Sequence, residues 1–375
     1  MNNTRTPLIA SVLLVSSLIF GAAHAALPSY TFTDLGTLGG TRSAAYGINA
    51  SGQVVGYGQF TDGWGHATLW NGTTATNLGT LGWRIGSGAR GINDSGQVVG
   101  DFFTTTGVQR ATLWNGTTAT DLGTLGGTAS GAEAINASGQ VVGYSYTSGN
   151  AARRATLWTG TTATDLGTLG GLYSGASGIN ASGQVVGYST TTGGSNHATL
   201  WNGSTAIDLG TLGGAGSEAY AINDSGQVVG VARTASDAYH ATLWNGTTIT
   251  DLGTLGGRAS AAIAINASGQ VVGYVVATTG NEVYHATLWN GTTAIDLNGL
   301  LDASTVSAGW VLNAAYGIND NGWIAGTASN SILGLPSRAF LLSVTPVPEP
   351  ETYGMMLVGL GMLGFMARRR KTDQA

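Results

Sequence analysis

Cysteine is absent from all 375 residues, and lysine occurs once, at Lys371. The first absence excludes disulfides, thiolate nucleophiles and Cys-ligated metals. Charge is scarce throughout, at 9% of residues. With a cut after Ala25 and another after Pro350, 9 Arg face 17 acidic residues, a net charge near −8. A phosphate-binding surface needs clustered Lys or Arg, so nucleic acid is excluded as a natural partner. Helical periodicity is missing from the body as well. Its glycine density (62 in the chain) penalises helix by about 1 kcal/mol per residue.

The two ends carry addresses. Residues 1–25 read as a secretory signal peptide. Arg5 gives the positive region, residues 8–20 the apolar core, and Ala23-His24-Ala25 the small-residue cleavage site. That reading implies the Sec machinery and signal peptidase as partners. At the other end, Pro348-Glu349-Pro350 precedes an apolar run over 353–367, then Arg368, Arg369, Arg370 and Lys371. Fifteen helical residues span roughly 22 Å against a hydrocarbon core of about 30 Å, a minimal transmembrane helix. The basic cluster is expected to stop transfer and stay cytoplasmic. Residues 347–375 resemble the PEP-CTERM sorting signal of Gram-negative bacteria. The resemblance implies cutting by an exosortase near the Pro-Glu-Pro motif. It also implies transient anchoring in the inner membrane, then release or re-anchoring at the cell surface or in the extracellular matrix, in company with exopolysaccharide or biofilm.

Between these ends, residues 26–346 are a repeat. Asp-Leu-Gly-Thr-Leu-Gly-Gly starts at Asp34, Asn77, Asp121, Asp165, Asp208, Asp251 and, degenerate, Asp296. Ile-Asn-Ala/Asp-Ser-Gly-Gln-Val-Val-Gly places its Asn at 49, 93, 136, 180, 223 and 266, with a variant at Asn319. His/Arg-Ala-Thr-Leu-Trp-Asn-Gly starts at His66, Arg110, Arg154, His197, His240 and His285, ending in a variant at Arg338. Each motif occurs seven times, mostly 43 or 44 residues apart. Ser-Gly and Asn-Gly turns divide every period into four short strands, the size of a propeller blade.

Phase says more than period. The series opens on a lone fourth strand at 30–35 and ends on a lone third strand at 338–344. Seven complete blades result only if the two ends share one, which predicts a closed seven-bladed all-β propeller rather than an open solenoid. Folding each second hairpin about its Asn-Gly (Thr159-Gly160 in the third) sets the leading His or Arg opposite the trailing Asp, except that His66 faces Asn77. By the same logic Arg338 should face Asp34 across the closure.

The three motifs in this order resemble the bacterial extracellular HAF repeat family, whose triplet reads mostly His-Ala-Thr here and Arg338-Ala339-Phe340 in the last copy. That resemblance covers nearly all of residues 30–344 and implies an extracellular protein without assigning it an activity.

The recurring Asp and His are spread around a ring by the repeat, so they read as turn caps paired within their own blades. No metal site, cofactor or catalytic residue is expected. Trp70, Trp114, Trp158, Trp201, Trp244 and Trp289 fit two roles, filling the wedge between blades or stacking on sugar. Function should sit where symmetry fails. Such places are Gly63-Trp64-Gly65, Trp83 and Arg84 near Arg90, the insertion over 298–313 with Asp302 and Trp310, and Trp323. The candidate ligand platforms are accordingly Trp64, Trp83, Trp310 and Trp323. Three functions are open: a non-enzymatic surface or matrix module associated with exopolysaccharide, a lectin-like binder, and a polysaccharide hydrolase or lyase.

Overall fold

A computed structural model describes residues 29–79, 86–277 and 283–344. The processing residue Ala25, the Pro348-Glu349-Pro350 motif, the basic cluster Arg368 to Lys371 and Trp83 lie outside them. Among the described residues no helix is long and apolar enough to cross a membrane.

Seven four-stranded antiparallel sheets make up the described chain. Blade 1 is typical: Gly39–Ile48 innermost, then Val54–Phe60, Gly65–Asn71 and Thr74–Asn77 at the rim. Period-2 patterning explains the stacking, because Val54, Val55, Ala67 and Trp70 are all fully buried against neighbouring blades. The inner strand bulges between Ala45 and Gly47, and the same shift recurs in each of the other blades. A Cβ on Gly56 would overlap the Ala44 carbonyl beside that bulge. Its counterparts, such as Gly100 and Gly143, meet the same obstacle. The Val-Val-Gly glycine is therefore a steric requirement of the blade.

Blade 7 closes the ring as the phase of the repeat predicts. Tyr30–Asp34 pairs antiparallel with Leu335–Val344, outside Ile324–Asn330 and Trp310–Ile318. Arg338 Nη2 lies 3.0 Å from Asp34 Oδ2. The expected register needs one correction. Asp34 stands opposite Phe340, and Asp121 opposite Thr112, so each Arg/His–Asp pair is a diagonal two residues off. The cause is the turn: Asn115 pairs with Thr118, leaving Gly116-Thr117 rather than Asn115-Gly116 as the two-residue loop. Gly116 supplies the positive φ, 59°. A shift of two keeps both side chains on one face, so the pairs still meet.

Two polar belts tie blade to blade. Each motif Asn caps its own turn, Oδ1 accepting the N–H four residues on at 2.9–3.0 Å. Its Nδ2 then donates to the carbonyl of the next blade's Asn. The seven bonds run from Asn49 to Asn93 and onward, returning from Asn319 to Asn49, at 3.0–3.3 Å. All seven Asn are buried. Farther out, Ser43 Oγ accepts the Ala339 N–H across the closure, as Ser87 does from Ala67. Between the belts lie the six indoles. Trp114 packs with Val55, Ala67 and Leu78 of blade 1, and Trp70 with Ala325, Ala339 and Leu341 of blade 7. The inter-blade role thus accounts for the Trp set.

The insertion before blade 7 folds into a 3-10 turn, Leu297–Leu300, and a short helix, Ala303–Ser307. Asp302 caps that helix, accepting the N–H groups of Ser304 and Thr305. Asn298 clasps the Leu312 backbone through both its N–H and its oxygen. The segment delivers Trp310 to 5.0 Å from Phe32, beside the closure seam.

Candidate binding groove and axial channel

The recurring Asp residues are turn caps. Asp121 Oδ1 accepts the Gly123 N–H at 2.8 Å and Arg110 holds the same carboxylate. Asp208, Asp251 and Asp296 pair with His197, His240 and His285 at 2.7–2.8 Å. Every one of these pairs sits within its own blade, far from the axis of the ring. Among the described residues no group of three His, Asp or Glu could hold a metal ion.

Asymmetry is concentrated on the inner strands. Three residues before each ring Asn, the blades present in turn Tyr46, Arg90, Glu133, Ser177, Tyr220, Ile263 and Tyr316. These side chains line an axial channel of about 520 Å³. Blades 2 and 3 carry its charge, through Arg90 and Glu133. Arg90 lies over the Tyr46 ring, 4.9 Å from its centroid, and its Nε is 3.9 Å from Asp101 Oδ1. Burial pushes the carboxyls of Asp101 and Glu133 up, with the Arg90 guanidinium opposing the shift in both. Desolvation likewise pushes the Tyr46 phenol up to about 12. Those two carboxylates, in return, hold Arg90 more firmly protonated against its own burial.

From Tyr46 and Arg90 a groove of about 590 Å³ leads outward between blades 1 and 2. Trp64 stands at its mouth, 52% exposed. An Asx turn fixes that residue, with the Trp64 N–H donating to Asp62 Oδ1 at 2.9 Å. Asp101, Gln109 and Phe103 complete the polar and apolar walls.

The other candidate platforms go elsewhere. Trp310 packs on Phe32, and Trp323 covers Gly52 so closely that a Cβ there would overlap its ring. Trp323 stands where the other blades have Gln, at the joint between blades 7 and 1. Gly65 was singled out with Trp64, but Asp101 escaped the sequence reading because it lies just beyond the second motif. Alignment of all seven periods on the ring Asn would have exposed it.

The PEP-CTERM protein-sorting motif is matched at residues 346–371. The chain therefore carries a signal for export to the cell surface or beyond, read by an exosortase-like processing enzyme. No curated protein matches the sequence. Among solved structures, the chain is similar to a puromycin-hydrolyzing peptidase of Mycobacterium tuberculosis at TM-score 0.51 and 11% identity, covering 85% of this chain and 55% of that one. TolB from Acinetobacter baumannii gives TM-score 0.42 and 11% identity over 66% of this chain and 64% of that one. A lectin of Aleuria aurantia gives 0.38 and 13% over 86% and 99%. The chain thus spans less than two thirds of the first two structures. Likeness at such identity speaks to fold alone.

Proposed function

We propose that this chain is a non-enzymatic interaction module of the cell surface or extracellular matrix, working alongside exopolysaccharide. One observation carries the reading. The repeated Asn, Asp, His, Ser and Trp are engaged within the scaffold, so ligand-directed chemistry is left to the asymmetric patch of blades 1–3. The sorting motif and the resemblance of the repeat to extracellular HAF proteins support the location. An N-terminal signal peptide and a transient inner-membrane anchor belong to the same proposal.

A second reading, saccharide hydrolysis, is favoured by Asp101 and Glu133, two carboxyls raised by burial that both face Arg90, one in the groove and one in the channel. The two readings separate in one experiment. Cells are fractionated for the protein, and the protein purified from them is incubated with the host's own exopolysaccharide. The interaction reading expects protein in the surface or polymer fraction and no new reducing ends. Accumulation of reducing ends, or retention of the protein in the cytoplasm, contradicts it.

A further inference from the structure

The seams between adjacent blades are not alike on the face that carries Trp64. In blades 2 to 6 the third strand begins with a large side chain, Gln109, Arg153, Asn196, Tyr239 and Tyr284, and in blades 2 to 4 it bonds to the next blade. Gln109 meets the Tyr144 hydroxyl at 2.6 Å, Arg153 donates to the Tyr188 hydroxyl at 2.9 Å, and Asn196 donates to Glu218 at 3.3 Å. Blade 1 has Gly65 at this position, paired with Gln59 as Gln109 is with Phe103. Among the described residues the seam between blades 1 and 2 therefore lacks this bridging side chain, and the groove lies there. Gly88 on the opposite wall widens it, since a Cβ there would point into open space.

A second replacement falls in the same place. Tyr57, Tyr144, Tyr188 and Tyr274 occupy one register position of their blades, opposite the Ala of the third motif. Blade 2 has Asp101 there, with its side chain 7% exposed and no guanidinium nitrogen nearer than 3.9 Å. Arg90 Nε, though buried, makes no hydrogen bond. A carboxylate, a guanidinium with donor capacity to spare and the Gln109 amide thus meet beneath an exposed indole.

We infer that this groove is a subsite for a neutral pyranose unit of a polysaccharide, an assignment that rests on the surface-interaction reading above. A pyranose offers an apolar C–H face and a rim of hydroxyls, each both donor and acceptor. Trp64 takes the face, Asp101 accepts from the rim, and Arg90 and Gln109 donate to it. The opposite charges of Arg90 and Asp101 offset each other, which suits an uncharged ligand. An anionic glycan would meet Asp101 in a body of net charge near −8. The groove volume falls within the roughly 300–1,000 Å³ of small-ligand sites.

Purified full-length protein in detergent is titrated with methyl glycosides of neutral hexoses and their linear oligomers, read by tryptophan fluorescence and calorimetry. Saturable binding to at least one neutral oligosaccharide is expected. Trp64→Ala should weaken it by about tenfold or more, equivalent to roughly 1.4 kcal/mol. Gly65→Gln, which installs the side chain that blade 2 carries at Gln109 and sets its Cβ 3.1 Å from the Tyr57 ring, should abolish it. Because Trp64 is half exposed, its variant remains informative if Gly65→Gln fails to fold. A blank across the neutral series overturns the subsite, as does preference for anionic glycans or binding indifferent to both substitutions. Any of these would leave the surface role standing. Reducing ends released from a bound oligomer would instead contradict the non-enzymatic reading while sparing the groove.

Discussion

Arg338 and Asp34 lie 304 residues apart in sequence and form a two-pronged ion pair within one blade, Nε to Oδ1 at 3.2 Å and Nη2 to Oδ2 at 3.0 Å. The same pairing occurs inside blade 2 between Arg110 and Asp121. The ring closure is therefore chemically a copy of an ordinary hairpin. Half-buried pairs of this kind specify register more than they stabilise. Arg338→Ala should cost about 0.5–1 kcal/mol in denaturant unfolding. A loss of several kcal/mol would show that the pair holds the ring shut rather than aligning it.

The Asn belt should matter more. Asn136→Ala removes the donor to the Asn180 carbonyl and strands the Gln140 N–H, both in a buried setting. Unfolding should show a loss of about 1–3 kcal/mol. The same substitution at Asn223 should cost a similar amount, because its bonds repeat at 3.1 and 3.0 Å. Unequal costs at the two sites would contradict an evenly tensioned belt.

How much of this was legible in the residues depends on distance along the chain. The phase of the motifs contained the closure, since a lone strand at each end has one economical partner. The Arg/His–Asp pairs were legible too, because each spans one hairpin. Their register was misread by two, as Asn71 and its equivalents remain in the strand and Gly72 turns the chain. The Asn Nδ2 bond crosses 43 or 44 residues in most blades, so nothing local announces it. The turn that the same Asn caps is local, closing within four residues. Trp323 drew attention by departing from Gln, yet its ring answers only the missing Cβ of Gly52. Departure from a consensus marks a place of interest without saying whether a ligand or a neighbouring blade caused it.

Two sets of tryptophans should behave oppositely. Trp158 is fully buried and fills the wedge between blades 2 and 3. Trp158→Ala should destabilise by about 3–5 kcal/mol. Exposed Trp64, by contrast, should lose no more than about 0.5 kcal/mol on truncation. Thermal or denaturant melts of the two variants, run side by side, check this contrast.

Stability should depend on pH through Asp101. Burial raises its carboxyl above the ordinary 3.8, with Arg90 opposing. Above the folded pKa the ionised carboxylate therefore costs stability. As pH falls through that value toward the unfolded one, near about 3.9, the folded protein takes up the proton and the cost is relieved. Asp101→Asn should accordingly stabilise the protein at pH 7, and the gain should shrink as pH is lowered to about 4. A gain that grows on acidification would reverse the sign and contradict the burial argument.

The closed ring is the claim on which the rest depends, and the absence of cysteine makes it directly testable. Thr31 stands opposite Ser343 in the antiparallel pairing of the first and last strands. Opposed residues there have Cα atoms about 4.5–5.5 Å apart, within disulfide reach. Thr31→Cys with Ser343→Cys, oxidised under dilute conditions and analysed by peptide mass spectrometry, should give one intramolecular disulfide in nearly every molecule. Free thiols, or disulfides formed only between molecules, would mean that the ends do not share a blade.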